Sequence, residues 1–453
     1  MKSRKVVVSV TAVFVAAILL AVIFTQACGT GTVDESEKAP EVELQFAMCY
    51  ERWSSEDMVA EFLYKRMDHF NEANEQGGLI RAVTYSDHQY ADKLNALAAA
   101  NQLPDLFWTI PGVPLNQMAR EGLLADLTSY LEEDAVWKES FRPGAFAVSE
   151  VDGHIWSIPV LMDFCCLFYN TELFERAGIS AEELTTWEGF LKACESLRQN
   201  NITPLVAAAK DGSGLMPMAH SLVQRLGGAQ QLSSMLEQGA QFDFMQEDFL
   251  VAGTMFYELI ERGYVNENLG RTAEEMEKVR FVQGKAAMLV ADTTSLGSIY
   301  RDDSIVRDKV GLLPFPQVEG GEGQEELWVH TNSLSMSAAC EHPDAVLDFF
   351  RWMTSADAQQ EAADWTGQIP AAQPEEDIGK YLPELRMAAD LLEQTPRFFS
   401  WDGILPDEDT TDFYETAWKQ IALGKAPEQA FSELQEQLVA RRQMQQEAQG
   451  FEP

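Results

Sequence analysis

The sequence predicts an α/β fold, a mostly parallel sheet with helices on its faces. From Glu43 onward, segments with strand character alternate with amphipathic helical ones. The alternation restarts after Asp152, and the proline-broken stretch Val310 to Pro316 (VGLLPFP) interrupts it, so the chain divides into two α/β series.

In the first series Glu43 to Cys49 (ELQFAMC) is strand-like. Ser54 to Asp57 then offers an N-cap to a helix with Met58, Val59, Phe62, Leu63, Met67 and Phe70 on one face. Leu79 to Tyr85 is a second strand, Tyr90 to Ala100 a helix, and Asp105 to Ile110 a third strand, which completes a βαβαβ unit. Asp152-Gly153 is a turn, His154 to Pro159 is extended, and Cys165 to Tyr169 is a strand before a helix ending at Gly178. Thr185 to Glu188 has the form of a capping box for the helix that carries Phe190, Leu191, Cys194 and Leu197. Strands follow at Ile202 to Ala207 and Ala286 to Val290, with helices at Phe249 to Glu261 and Thr272 to Val282 between them. Beyond the Gly/Glu loop at Gly320 to Glu326, Trp328 to Ser337 is a strand. Helices are expected at Pro343 to Met353, Ala356 to Ala363, Ile378 to Leu392, Thr411 to Leu423 and Pro427 to Val439.

A chain of 453 residues that is 46% hydrophobic buries a sizeable core. Its 33 Lys+Arg against 72 Asp+Glu leave a net charge of −39 with no basic stripe, which excludes nucleic acid as a partner. Lys2, Arg4 and Lys5 precede an apolar run from Val6 to Phe24, the n-region and h-region of an export signal. The run is also long enough for an uncleaved single-span anchor. Either segment places the body outside the cytoplasmic membrane. Thr30 to Pro40 is a polar, acidic tether.

Six cysteines without CxxC spacing do not make a disulfide framework. Cys165-Cys166 reads as two small apolar residues in a buried strand, with a redox or metal feature as the alternative. There is no GxxxxGK[ST], GxGxxG after a strand, HExxH or GxSxG, and the six histidines lack ligand spacing, so no metal or cofactor is expected. Carboxylate pairs fit for glycoside hydrolysis arise by chance among so many acidic residues. Aromatic rings cluster instead near predicted strand ends. Trp53, Trp108 and Trp401 are candidate stacking platforms for the C–H faces of sugars, with Trp328 and Trp365 as weaker candidates. Glu51, Asp87, Asp163, Asp211 and Asp292 lie in loops after strands or at crossings and are candidate polar contacts to hydroxyls. Arg52 and Lys210 are the only nearby cations, so a neutral sugar fits best and a cationic ligand such as a polyamine is the next choice.

Several segments, in order, resemble the sugar-type extracellular solute-binding proteins of ABC importers (family 1). They are Asp92 to Leu94 with Leu103 to Phe107 (LPDLF), Asp152 to Pro159 (DGHIWSIP), Leu167 to Gly178 (LFYNTELFERAG), Trp187 to Phe190, Ile202 to Leu205 with Lys210 to Gly212, Phe281 to Leu289 (FVQGKAAML), Leu313 to Pro316, Thr366 to Pro370 (TGQIP) and Gly424 to Ala430. Thr25-Gln26-Ala27-Cys28 is similar to a bacterial lipoprotein signal, although Thr25 and Gln26 depart from its usual Leu and small residue. Where the family often has Gly-Ser-Trp, this chain has Asp292-Thr293-Thr294, so one stacking platform is absent.

The resemblance implies a two-lobe periplasmic-binding-protein (Venus-flytrap) fold, type II-like. Residues 1–27 would be the lipoprotein signal peptide and 28–40 the tether. Lobe 1 would take 41–159 and 316–370, and lobe 2 would take 160–315 and 371–453, with hinge crossings near Ile158 to Phe164, Val310 to Pro316 and Ile369 to Pro374. Cys28 would carry the lipid (palmitate) and hold a monomer on the outer face of the cytoplasmic membrane. There it would pass a carbohydrate, a neutral oligosaccharide, to ABC importer permease subunits without catalysing a reaction. A secreted glycan hydrolase and a ligand sensor for a membrane receptor are the alternatives.

Overall fold

The computed structural model describes residues 42–52, 58–74, 78–301, 303–374, 383–401, 403–405 and 407–449. The signal segment, Cys28, the tether, Trp53 and the expected cap at Ser54 to Asp57 lie outside them. The first unit forms as expected. Strand β1 (Glu43–Met48), helix α1 (Met58–Ala73), β2 (Leu79–Thr84), α2 (Asp87–Ala99) and β3 (Leu106–Trp108) follow in order, with β1 paired in parallel to both β2 and β3. Helix α1 buries Val59, Phe62, Leu63, Met67 and Phe70, whereas Met58, at its first position, is exposed.

After the short helix α3 (Val113–Arg120) and a two-residue hairpin at Glu150–Val151 and His154–Ile155, the chain enters a strand far longer than the sequence indicates. Strand β4 runs from Ile158 to Asn170, 13 residues that are buried almost throughout. Asn170 then caps the following helix, its side chain accepting from the Leu173 amide at 3.1 Å. The expected capping box at Thr185 to Glu188 is not formed. Thr186 is the N-cap of α4 (Trp187–Gln199), but its N3 residue is Gly189, which has no side chain to reach back. The reciprocal pair forms one turn earlier, between Ser180 and Glu183. Next come β5 (Leu205–Val206), α5 (Met216–Gln238), α6 (Glu247–Glu261), α7 (Glu274–Val282), β6 (Met288–Asp292), β7 (Val310–Leu313) and the second long strand, β8 (Glu326–Met336). The chain ends with α8 (Pro343–Met353), α9 (Ala356–Thr366), β9 (Ile369–Pro370), α10 (Pro383–Gln394), β10 (Arg397–Phe399), α11 (Glu408–Ala422) and α12 (Pro427–Gln449).

One ten-stranded sheet runs β2-β1-β3-β8-β4-β6-β5, with β7 and β9 also on β4 and β10 on β8. It is less parallel than expected, because β4 and β8 run antiparallel to each other and to most of their neighbours; β8 is parallel only to β10. Two apolar cores flank it. One gathers β1 to β3, α1, α2, α8 and α10, and the other gathers α4, α5, α6, α11 and α12. Side chains alternate along a strand, so neighbours on β4 serve different cores: Cys166 and Phe168 join the first, Cys165 and Leu167 the second.

The fully buried Arg225 of α5 ties this architecture together. Its Nε and Nη2 donate to the Phe315 carbonyl at 3.1 and 2.8 Å, and its Nη1 donates to the Gly323 and Glu326 carbonyls at 2.7 and 2.9 Å. The Gly/Glu loop therefore folds onto α5 and launches β8. Contact is so close that a Cβ on Gly321 or Gly323 would stand 2.0 Å from a carbonyl oxygen of Arg225 or Gln224. Helix α5 breaks at Gly228 (φ 60°, ψ −166°), a conformation that glycine supplies without steric cost.

Candidate functional site

A cavity of about 500 Å³ opens where the carboxyl ends of β1 and β3 meet the middles of β4 and β8 and the end of β6. That is ample for a small-molecule site. Cys49 and Tyr50 reach it from the end of β1, Tyr90 and Ala91 from α2, and Trp108 to Pro111 from the end of β3. Asp163, Asp292, Thr294 and His330 to Asn332 complete the lining.

The apolar wall is braced by hydrogen bonds. Tyr90 donates its hydroxyl to the Trp108 carbonyl at 2.5 Å and to the Ala47 carbonyl at 3.2 Å, which locks α2 to β1 and β3. Burial raises that phenol well above its ordinary value, so it stays protonated as a donor. Tyr50 meets the Trp108 ring edge-on, centroids 5.1 Å apart. Polar groups come from the sheet register: Asp163 lies opposite His330, and Asp292 lies opposite Cys165, two residues further along β4. Asp163 and Asp292 thus share one face as diagonal neighbours. Burial alone would raise the Asp292 carboxyl. Lys278, hydrogen bonds from the Thr294 amide (3.1 Å) and hydroxyl, and His330 outweigh it and hold the carboxyl below its ordinary value.

Among the candidates from the sequence, the structure brings Trp108, Asp163 and Asp292 together at this cavity. Glu51 is exposed beside Tyr50 and does not line it. Asp211 is also exposed, 3.8 Å from Lys210. Trp328 and Trp401 are 6% and 5% exposed and belong to the second core, where His220 stacks on Trp401 (4.0 Å between centroids, 6° between planes) and meets Trp328 edge-on. Asp87 opens α2 and Trp365 lies in α9, but their side chains are outside the described residues. Tyr50, Tyr90, Thr294 and His330 were not among the candidates. Tyr50 immediately precedes Glu51, and His330 is one strand period from Trp328, so the reasoning that chose those neighbours would have reached both. Among the described residues, no cluster of His, Cys, Asp and Glu is fit to hold a metal ion.

His220 gives a pH signature. Burial, aided by His330, pushes its imidazole from 6.5 down to about 3, so the folded chain keeps it neutral. The unfolded chain takes up the proton first. This contribution to stability is therefore intact above about pH 6.5 and is lost as pH falls toward about pH 3, by at most ~1.4 kcal/mol per pH unit. Urea unfolding across that window should show the slope in the wild-type protein and a shallower one in His220→Phe. Identical slopes would reject it.

An open α/β sheet with an aromatic and carboxylate cavity beyond its strand ends has the architecture of an extracellular solute-binding protein. Residues 57–360 match the family model for bacterial extracellular solute-binding protein, and the chain belongs to that family. The multiple sugar-binding protein of Streptococcus mutans is 24% identical over 221 residues, 48% of this chain and 51% of that protein, so the chain spans about half the length of that relative. The sn-glycerol-3-phosphate-binding periplasmic protein of Rhizobium meliloti is 22% identical over 310 residues, 66% of this chain and 70% of its own. Among solved structures, a chitin oligosaccharide binding protein superposes with a TM-score of 0.73 at 23% identity, covering 88% of this chain and 98% of that one. The bacterial solute receptor AcbH, described as having an exclusive preference for β-D-galactopyranose, does so with a TM-score of 0.74 at 14% identity, covering 89% and 98%. The fold is thus the two-lobe α/β fold of solute-binding proteins, and these relatives are binding proteins. No helix among the described residues is long and apolar enough to cross a membrane.

Proposed function

We propose that this protein captures a carbohydrate in the cavity around Trp108, Asp163 and Asp292 and delivers it to the permease subunits of an ABC importer. The cavity carries this reading: flat rings suit the C–H faces of a pyranose, and carboxylates suit its hydroxyls. In this reading, residues 41–159 with 316–370 and residues 160–315 with 371–453 act as lobes that close on the ligand, through contacts made only when both touch it. The protein works as a monomer and catalyses nothing. The ligand is an oligosaccharide without phosphate or carboxylate groups. No lysine or arginine is found among the described lining residues; Arg52 is committed to Asp68 at 2.7 Å and Lys210 lies beside Asp211, while the charge of Lys278, outside the lining, is directed at Asp292.

A thermal-shift screen against neutral oligosaccharides tests this. The matching sugar at 100 times its dissociation constant should stabilise the fold by about 2.7 kcal/mol. A panel that includes the sugars bound by the relatives and leaves Tm unmoved would reject the reading. Asp163 and Asp292, two carboxylates on one face, also suit a glycan hydrolase. Product release from the bound sugar would favour that reading instead. We further propose that lipid on Cys28 holds the protein at the outer face of the cytoplasmic membrane. Cys28→Ala should then release the chain from membranes or leave its signal uncleaved, and unchanged retention with an intact N-terminus in the wild type would point to a single-span anchor.

A further inference from the structure

We propose that Gln368, which lies outside the described cavity lining, is a positioning residue for the ligand: its side-chain amide holds Asn332, which does line the cavity, in the orientation that meets the sugar. This rests on the carbohydrate reading and deepens it. It starts from the register of three crossing strands. Strand β4 runs between β8 and β9, with Thr331 and Ile369 both opposite Met162, and Asn332 and Pro370 both opposite Leu161. Opposite residues share a face, so Asn332 projects on the same side as Leu161 and, two positions along, Asp163. Gln368, one position before Ile369, falls in line with Asp163 on that face.

The two amides meet across β4. Asn332 donates from Nδ2 to Gln368 Oε1 at 3.1 Å, which closes a span of two strand spacings, roughly 9–10 Å between backbones. Gln368 is 7% exposed and is fixed independently of this bond. Its backbone amide donates to Thr366 Oγ1 at 3.1 Å, and that hydroxyl donates to the Ala362 carbonyl at 2.7 Å, at the end of α9. Asn332 needs such a hold. The ladder between β8 and β4 shifts register immediately after it, and a bulge of this kind re-aims the side chains beside it. Half-buried at the cavity, Asn332 keeps its second N–H and its Oδ1 for the ligand. One donor and one acceptor side by side match two adjacent hydroxyls of a pyranose, one accepting and one donating. A side chain that turned freely would lose that match in most of its rotamers, so ordering by Gln368 before the sugar arrives favours binding.

The test is calorimetric titration of the full chain in detergent with galactose, maltose, raffinose and the chitin trisaccharide, using the wild type, Gln368→Met, Asn332→Ala and the double variant. The sugar that binds the wild type should bind Gln368→Met about tenfold more weakly, the scale of one hydrogen bond lost in the site. Asn332→Ala should lose at least as much. Because the two residues act as a unit, the double variant should be no weaker than Asn332→Ala, whereas independent residues would add their losses to about a hundredfold. Methionine has the length of glutamine, urea midpoints check that each variant folds, and Gln368→Leu repeats the test with a second side chain of similar size. Wild-type affinity in the Gln368 variants, or losses that add in the double variant, overturns the positioning role and leaves the carbohydrate reading standing. Silence of all four sugars with the wild type overturns both.

Discussion

Replacing Arg225 by alanine is expected to lower the unfolding free energy by about 3–5 kcal/mol, the scale for breaking a buried, fully bonded charged group. Four hydrogen bonds from its guanidinium reach three carbonyls, and all are lost together. The carbonyls of Phe315 and Gly323 then lose their side-chain donor, while that of Glu326 keeps Gln224 at 2.8 Å. Burial lowers the guanidinium to about 10, with the nearby Glu326 opposing the shift, so the group remains charged at neutral pH. Lysine preserves the charge but not the planar fork, so Arg225→Lys should fall between wild type and alanine. Urea midpoints of the three proteins measure this, and a loss below about 1 kcal/mol for alanine would show that the Gly/Glu loop holds without its anchor.

Trp108→Ala is expected to act twice. Its ring is 5% exposed, so truncation should cost about 3–5 kcal/mol of stability. As a cavity wall it should also cost about 2 kcal/mol of binding, roughly 30-fold in Kd. Trp108→Phe separates the two effects, since phenylalanine retains most of the packing against Tyr50 but presents a smaller platform. Stability should largely return in the Phe variant while affinity stays reduced. Wild-type affinity in both variants would assign Trp108 to packing alone.

These effects differ in how readily the sequence reveals them. The rhythm from β1 to β3 was legible because each strand is short and each helix has one apolar face, and α8 falls at Pro343–Met353 as its proline and apolar spacing indicate. Helix α5 was not. Pro217, Gly227, Gly228 and apolar residues on several faces hide its period, and its break at Gly228 divides it. Strands β4 and β8 were only partly legible, because an almost continuously buried strand carries no alternation and strand direction depends on long-range pairing. Trp108, Asp163 and Asp292 were accessible to sequence reasoning as chemistry at strand ends and crossings. Trp328 and Trp401 pack in the second core, and burial does not separate them from Trp108, which is equally buried in the first core; only its place in the cavity lining does. Arg225 gave no local signal at all: its partners are about 90 to 101 residues away.

The side-chain alternation on β4 has a practical consequence. Cys165 and Cys166 are joined by one peptide bond, yet each thiol reports on a different interior, the first on the helices around α5 and the second on the core beneath β1 to β3. Burial raises both well above the ordinary thiol value, so neither reacts until its surroundings open. Mass-resolved alkylation of the native protein therefore reads the opening of the two halves independently, with adjacent residues of one strand as the pair of clocks.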